Sequence, residues 1–280
     1  MPDWAKVLFL LSVFDAPIDC DRCAEWNRPL QPFHVYGNTW YVGTAGLGAV
    51  LIEAGDGLIL LDGGLPQSAG PIADGIRKLG FDPAAIRYIG MSHAHYDHVG
   101  GIAALQRISG ATVFASHDAA AALEAGMLQE NDPQFGGGMD GQTFPAVDSV
   151  TPLDDGDTVQ LGDVVLTMIY TPGHTAGGTS WTWESCEDGI CLDVVYLDSL
   201  TAVSRPGYRY SDGLGEVLAK TLARVATLDC DVLLSTHDSS FSLHAKLRQG
   251  REAFIDPDAC RELAAKSSTY LDNRLKSELP

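Results

Sequence analysis

Residues 92–101 read SHAHYDHVGG and carry three histidines and an aspartate within six positions. No packing demand asks for so many imidazoles. Neutral imidazole and carboxylate are, however, the usual protein ligands for zinc. The run follows a short apolar strand at 86–92, so His93 begins the loop at that strand's C-terminal end. In a turn, residues two apart can face one side. His93 and His95 are thus placed to serve one metal, and Asp97 and His98 a second. Gly100 and Gly101 let the next helix start close to the site without a side-chain clash. The bland alternative is a solvated polar loop.

A fold that uses this run must bring further ligands to it. Two histidines stand where apolar strands end, His174 in YTPGHTAGG and His237 in LLSTHDSS. Strand ends converging on one rim are where α/β sheets build sites. Both are read as ligands, whereas His34, His117 and His244 lack this setting and are not. The count is six, three for each of two zinc ions. Three protein ligands and an open position mark a catalytic rather than a structural zinc.

The pattern along the chain predicts two strands within 33–44 around a Gly-Asn turn. A hairpin of 47–54 and 57–62 follows, joined by Gly55-Asp56-Gly57. A helix over 68–79 stops at Gly80. Residues 99–109 form a helix, 111–116 a buried strand, and 117–125 a helix ending at Gly126. A glycine-rich irregular stretch at 127–147 contains three consecutive glycines at 136–138, which suggests a mobile pocket wall or lid. Strands return at about 158–161, 163–170, 178–184 and 193–197. A helix covers 214–228, a strand 230–237 ends on a histidine, and helices start near 243 and 258. Strands flanked by helices on their outer faces imply a layered α/β structure. Its two similar halves form one domain over 26–280, after an N-terminal segment, 1–25. Trp40, Trp181 and Trp183 lie in strands and are assigned to the core.

The 280 residues carry a formal net charge of −19. A nucleic-acid partner would need a basic patch that this balance does not supply. Residues 7–14, VLFLLSVF, are too short to span a bilayer, so no stable membrane insertion is expected. They do resemble the apolar region of a secretory signal, although Lys6 is offset by Asp3 and Phe14-Asp15-Ala16 makes a poor cleavage site. The alternative is an arm that packs on the domain. Six cysteines allow fifteen pairings, and sequence alone does not choose among them. Local spacing suggests Cys20–Cys23 and Cys186–Cys191, leaving Cys230–Cys260; reduced, buried thiols are the alternative. An even count favours an oxidising compartment, periplasmic or secreted.

HAHYDH, the distant TPGHT and the late strand-end histidine together resemble the metallo-β-lactamase fold superfamily. That resemblance implies a four-layer αβ/βα sandwich with a dinuclear metal site between the halves. GNTWYVGT, LLDGG, NDPQF, TPGHTAGGTSWTW, YLDSLTAVS and LDCDVLLSTH narrow it to subclass B3, over about Trp26 to Cys260. By motif, His93, His95 and His174 match the first zinc site, and Asp97, His98 and His237 the second. Ser199 and Thr201 match positions that help hold the substrate carboxylate, and Gln134 a loop position beside the pocket. Cys186–Cys191 and Cys230–Cys260 match disulfides found in some relatives; the resemblance does not place Cys20 and Cys23.

The resemblance implies a monomeric enzyme that confers antibiotic resistance. A zinc-bound hydroxide would open the amide of a small-molecule β-lactam, with no covalent acyl-enzyme. Ser199 has no Gly-x-Ser-x-Gly context and is not read as a nucleophile. Arg205 and Arg209, nearby in sequence, are read as solvated. Asp198 divides the readings. In lactamases of this kind it stands behind a ligand, whereas in lactonase and thioesterase relatives it bridges the metals. The alternatives are therefore another hydrolase of this fold and, further off, a non-catalytic metal-binding protein.

Overall fold

The computed structural model describes residues 13–136 and 141–279. Most of the signal-like segment and two of the three consecutive glycines lie outside those residues. Among the described residues the strands form two sheets. The larger holds β1 (Phe33–Tyr36), β2 (Thr39–Tyr41), β3 (Val50–Glu53), β4 (Leu58–Leu61), β5 (Ile86–Gly90), β6 (Thr112–Ser116) and β7 (Val150–Leu153), in that spatial order. The smaller runs β12 (Val232–Ser235), β11 (Ile190–Leu197), β10 (Thr179–Glu187), β9 (Val164–Tyr170) and β8 (Thr158–Leu161). Pairing is antiparallel from β1 to β4 and parallel from β4 to β7. In the smaller sheet β11 and β12 are parallel and the other pairs antiparallel.

Alternating side chains explain the layers. On β4, Ile59 and Leu61 join the core between the sheets, while Leu58 and Leu60 join a second core on the opposite face. On β3, Val50 and Ile52 point one way and Leu51 the other. Strands buried on both faces need apolar residues at every position, so they read as continuous runs. The second core is closed by α2 (Ala69–Lys78), α4 (Ile102–Ser109) and α5 (His117–Ala125). The smaller sheet is covered by α6 (Leu214–Val225), α7 (Leu243–Gln249) and α8 (Ala259–Ser277). The result is helix, sheet, sheet, helix.

The two tryptophans of SWTW sit between the sheets, Trp181 with no exposed surface and Trp183 with 2%. Their bodies supply apolar area and their N–H groups find acceptors across the layer. Trp183 Nε1 donates to Thr39 Oγ1 at 3.0 Å, and Trp181 Nε1 donates to the Met91 carbonyl at 2.9 Å. The second bond pins the end of β5, where the histidine loop begins. Trp40 is only half-buried and packs edge-on against Phe81.

Two expectations need correction. Residues 150–153 form a strand that the sequence reading left out. The predicted helix at 99–109 is two pieces, a single turn α3 (Tyr96–Val99) and then α4 from Ile102. The two local cysteine pairs and the remaining one are all disulfides: Cys20–Cys23, Cys186–Cys191 across the β10–β11 hairpin, and Cys230–Cys260. The last closes a 30-residue separation. In the chain-entropy model that contributes about 3–4 kcal/mol.

The arm packs on the body as far as it is described. Phe14 lies against the second core, and Arg107 donates to the Val13 carbonyl and pairs with Asp15 at 2.6 Å. At the other end, Glu278 accepts from Arg274 Nε at 2.7 Å and from the backbone N–H groups of Tyr210 and Ser211. Burial raises the Glu278 pKa, but these three donors outweigh it and hold the carboxyl at about 2. A carboxylate depressed on folding adds stability above its unfolded pKa of about 4.3, and that stability is lost as pH falls through 2. Glu278→Gln should therefore cost about 1 kcal/mol at pH 7 after allowance for solvent screening. Urea unfolding of the metal-free proteins should show the gap closing as the pH drops from about 4.3 toward 2. A gap independent of pH would refute this.

Candidate metal centre

The loops after β5, β9, β11 and β12 meet at one rim of the sandwich, between the sheets. His93 and His95 come from the loop after β5, and His95 is the N-cap of α3, which carries Asp97 and His98. The turn of α3 brings two donors to one side in a span too short for helical periodicity to reveal. Gly101 follows because a Cβ there would strike the Gly63 carbonyl. His174 lies between β9 and β10, and His237 follows β12 as the N-cap of the next turn.

One ligand atom from each of His93, His95 and His174 lies within 4.8 Å of the other two, and so do atoms of Asp97, His98 and His237. The five rings crowd together, with centroids 4.4 Å apart for His93–His98, 4.5 Å for His93–His95 and 4.8 Å for His98–His237. Asp97 Oδ2 is 3.2 Å from His98 Nε2 and 3.6 Å from His237 Nε2.

Burial, then the neighbouring imidazoles, hold His93 well below its ordinary pKa, His174 down at about 3 and His237 at about 4. Neutral imidazoles at neutral pH are what a metal site needs. Asp97 goes the other way. Burial would raise it, but His98, His237 and His95 outweigh burial and keep it ionised.

Each ligand of the first triplet is fixed from behind. His93 Nδ1 donates to Asp198 Oδ1 at 2.6 Å, His95 Nε2 to Asp132 Oδ2 at 3.0 Å, and His174 Nδ1 to the Thr201 carbonyl at 2.9 Å. These acceptors set which nitrogen is left for the cleft. His93 Nε2 is buried with no hydrogen-bond partner. A buried nitrogen with no hydrogen-bond partner among convergent imidazoles fits a metal ligand, and the donor set of imidazole and carboxylate fits zinc.

Neither Asp62 nor Asp132 was singled out from the sequence. Asp62 ends β4 in a left-handed conformation, φ 61°, with no exposed surface. It accepts from Ser92 N–H, Ser92 Oγ and Tyr196 OH, each at 2.7 Å. Its Oδ2 lies 3.9 Å from His98 Nδ1. Burial pushes its carboxyl up, and the charge of His98 opposes that.

The site opens into a cleft of about 300 Å³, lined also by Gln134, Ser199, Thr201, Val203 and Trp26. That is room for a small organic molecule. Gln134 Nε2 approaches His95 Nδ1 at 3.5 Å. Ser199 Oγ is bonded to Thr236 Oγ1 at 2.8 Å, and Thr201 Oγ1 lies 3.1 Å from His174 Nδ1. Arg205 and Arg209 do not line the cleft, and Arg209 pairs with Asp212 on the surface. His34, His117 and His244 bond elsewhere, to the Gly37 carbonyl, Asp154 and the Ala45 carbonyl. The tryptophan that borders the cleft is Trp26, not one of the three strand tryptophans.

Residues 49–237 match the family model of the metallo-beta-lactamase superfamily. The chain belongs to that superfamily. Its structure is similar over most of its length to Rm3 metallo-beta-lactamase, with 42% identity and a TM-score of 0.89, covering 93% of this chain and 99% of that one. It is similar in the same way to MEM-A1, a subclass B3 metallo-beta-lactamase isolated from a soil metagenome library. There the identity is 43% and the TM-score 0.86, over 90% of this chain and 98% of that one. Among curated proteins it resembles a hydroxyacylglutathione hydrolase of Bradyrhizobium sp. (strain ORS 278), 27% identical over 128 residues. That match takes in 46% of this chain and only 40% of the relative. The chain is thus a metal-binding hydrolase of the subclass B3 type. Among the described residues no helix is long and apolar enough to cross a membrane.

Proposed function

We propose that this protein hydrolyses the amide bond of β-lactams with two zinc ions, one held by His93, His95 and His174 and one by Asp97, His98 and His237. The observation that carries the reading is the pair of three-ligand clusters opening into one cleft. Bound zinc supplies a Lewis acid and a water acidified toward a pKa of about 7. Everything else is asked of the chain. Asp97, ionised and facing the cleft, accepts a hydrogen bond from the attacking water and orients it; that water's oxygen adds to the carbonyl carbon, and the proton it gives up ends on the nitrogen released when the C–N bond breaks. Asp198, Asp132 and the Thr201 carbonyl keep three imidazoles in the tautomer that serves as ligand. The hydroxyls of Ser199 and Thr201 are placed to donate to a substrate carboxylate, with Gln134 on the neighbouring wall.

A covalent acyl-enzyme has no support. Ser199 Oγ is hydrogen-bonded to Thr236 Oγ1, a hydroxyl and not a base. The second reading, a lactonase or thioesterase with Asp198 between the metals, is favoured by the hydroxyacylglutathione hydrolase likeness. It is disfavoured by the bond that already commits Asp198 Oδ1 to His93.

The three disulfides accord with a periplasmic or secreted protein whose first residues act as an export signal. A monomer whose catalytic domain spans 26–280 completes the reading, and antibiotic resistance is its biological consequence.

The purified protein should open a chromogenic cephalosporin when zinc is added and stop when a chelator removes it. His174→Ala should be inactive under both conditions. No turnover with two zinc ions bound would reject the lactamase reading, and lactones and thioesters would be tried next.

A further inference from the structure

Among the described residues that line the cleft, one carries a fixed positive charge, and it comes from the N-terminal arm. Arg22 precedes a single helical turn, α1 (Cys23–Trp26). A turn of four residues has no stability of its own, so the chain must hold it. The Cys20–Cys23 disulfide clips it, and the buried Cys23 packs on Leu47 and Leu65. The Trp26 carbonyl accepts from Thr44 Oγ1 at 2.6 Å, and its Cα sits where Gly46 would otherwise carry a side chain. Ser68 Oγ donates to Asn27 Oδ1, also at 2.6 Å. So many attachments for so short a segment fix what it presents. The Trp26 ring lies 5.5 Å from the His237 ring, and the Arg22 guanidinium lies over Trp26, 5.0 Å from its centroid.

A guanidinium seated on an indole face keeps its N–H edge free for a planar carboxylate. Here that edge is only lightly held. Glu25 accepts from Arg22 at 3.2 and 3.4 Å, longer than the usual charge-assisted bond, and both side chains are more than half exposed. An incoming carboxylate can replace Glu25 without leaving a buried charge unpaired. On a chain of net charge −19, a cation at the cleft mouth also offsets the repulsion that an anionic substrate meets elsewhere.

We propose that Arg22, held by the disulfide-clipped turn on Trp26, is a specificity-determining residue that captures a carboxylate on the substrate's acyl arm, remote from the scissile amide. The inference rests on the β-lactam reading. It selects among substrates and takes no part in bond cleavage.

The test compares benzylpenicillin with α-carboxybenzylpenicillin, which differ by one carboxylate, using the zinc-loaded full chain. Arg22→Ala should raise KM for the carboxylated substrate about tenfold and for its partner less than about twofold, with kcat moving little. Arg22→Glu should raise it further, and Glu25→Gln should lower it. A Cys20→Ser/Cys23→Ser double variant should resemble Arg22→Ala, because it frees the turn. High salt should erase the discrimination in the wild type. Hydrolysis of both penicillins with a KM ratio that Arg22→Ala and Glu25→Gln leave unmoved overturns this inference alone. Hydrolysis of neither by the zinc-loaded wild type overturns the lactamase reading and this inference with it.

Discussion

Asp97→Asn should reduce kcat/KM by at least about 10³-fold and leave one zinc per chain in place of the two proposed for the wild type. Asp97 is the single carboxylate in either triplet. Its side chain is 8% exposed, close to His98 and His237. The imidazoles around it overcome burial and keep it ionised, so it enters the site as a charge, not as a neutral acid. Asparagine has the same shape and can keep a neutral oxygen in place. It cannot balance a dication. The loss therefore isolates charge from packing. Far-UV circular dichroism should stay unchanged, zinc content after dialysis should halve, and added zinc should restore little. Two zincs with wild-type turnover would show that Asp97 is not a ligand. One zinc with turnover within about tenfold of wild type would show that the second triplet is dispensable, against the expectation for paired metals acting on both sides of the scissile bond.

How far the site could be read in advance depended on how local each signal is. His93, His95, Asp97 and His98 share one stretch, and His174 and His237 each end an apolar run, so their chemistry stands out without the fold. Asp62 and Asp132 are single aspartates in LLDGG and NDPQF. Each gains its role only when the chain closes, across 30 residues to Ser92 and 37 to His95. Asp62 did leave a trace, a carboxylate set directly on the fully buried strand Leu58–Leu61. Such a charge must be paired or cost dearly.

Strands β3 and β4 were legible because burial on both faces leaves continuous apolar runs. β7 was not. Its sequence VTPL contains Pro152, which argues against a strand. The structure places β7 at the edge of the sheet, the one position where a missing N–H is tolerated. The turn α3 is four residues long and has no period to detect. Trp26 reaches the cleft through the Cys20–Cys23 clip, a pair that spacing suggested and no family pattern explained.

Asp198→Asn should weaken zinc at the first triplet by about 10- to 100-fold and leave a fold and an activity that added zinc restores. Asp198 is 1% exposed, and its Oδ1 accepts from His93 Nδ1 at 2.6 Å and from Ser199 N–H at 2.7 Å. Burial pushes its carboxyl well up and the His93 imidazole well down. Asparagine can accept both bonds through its own oxygen, which preserves the His93 tautomer. What it removes is the negative charge that makes His93 a better donor to a cation. That loss is graded and reversible with metal. A carboxylate standing between two zincs behaves differently. Its replacement takes a ligand from both ions at once, and extra zinc cannot supply it. A zinc titration of Asp198→Asn, following hydrolysis and bound metal together, thus separates the two chemistries open to this fold. Recovery at high zinc places Asp198 behind His93, as in the lactamase reading, and failure to recover places it between the metals.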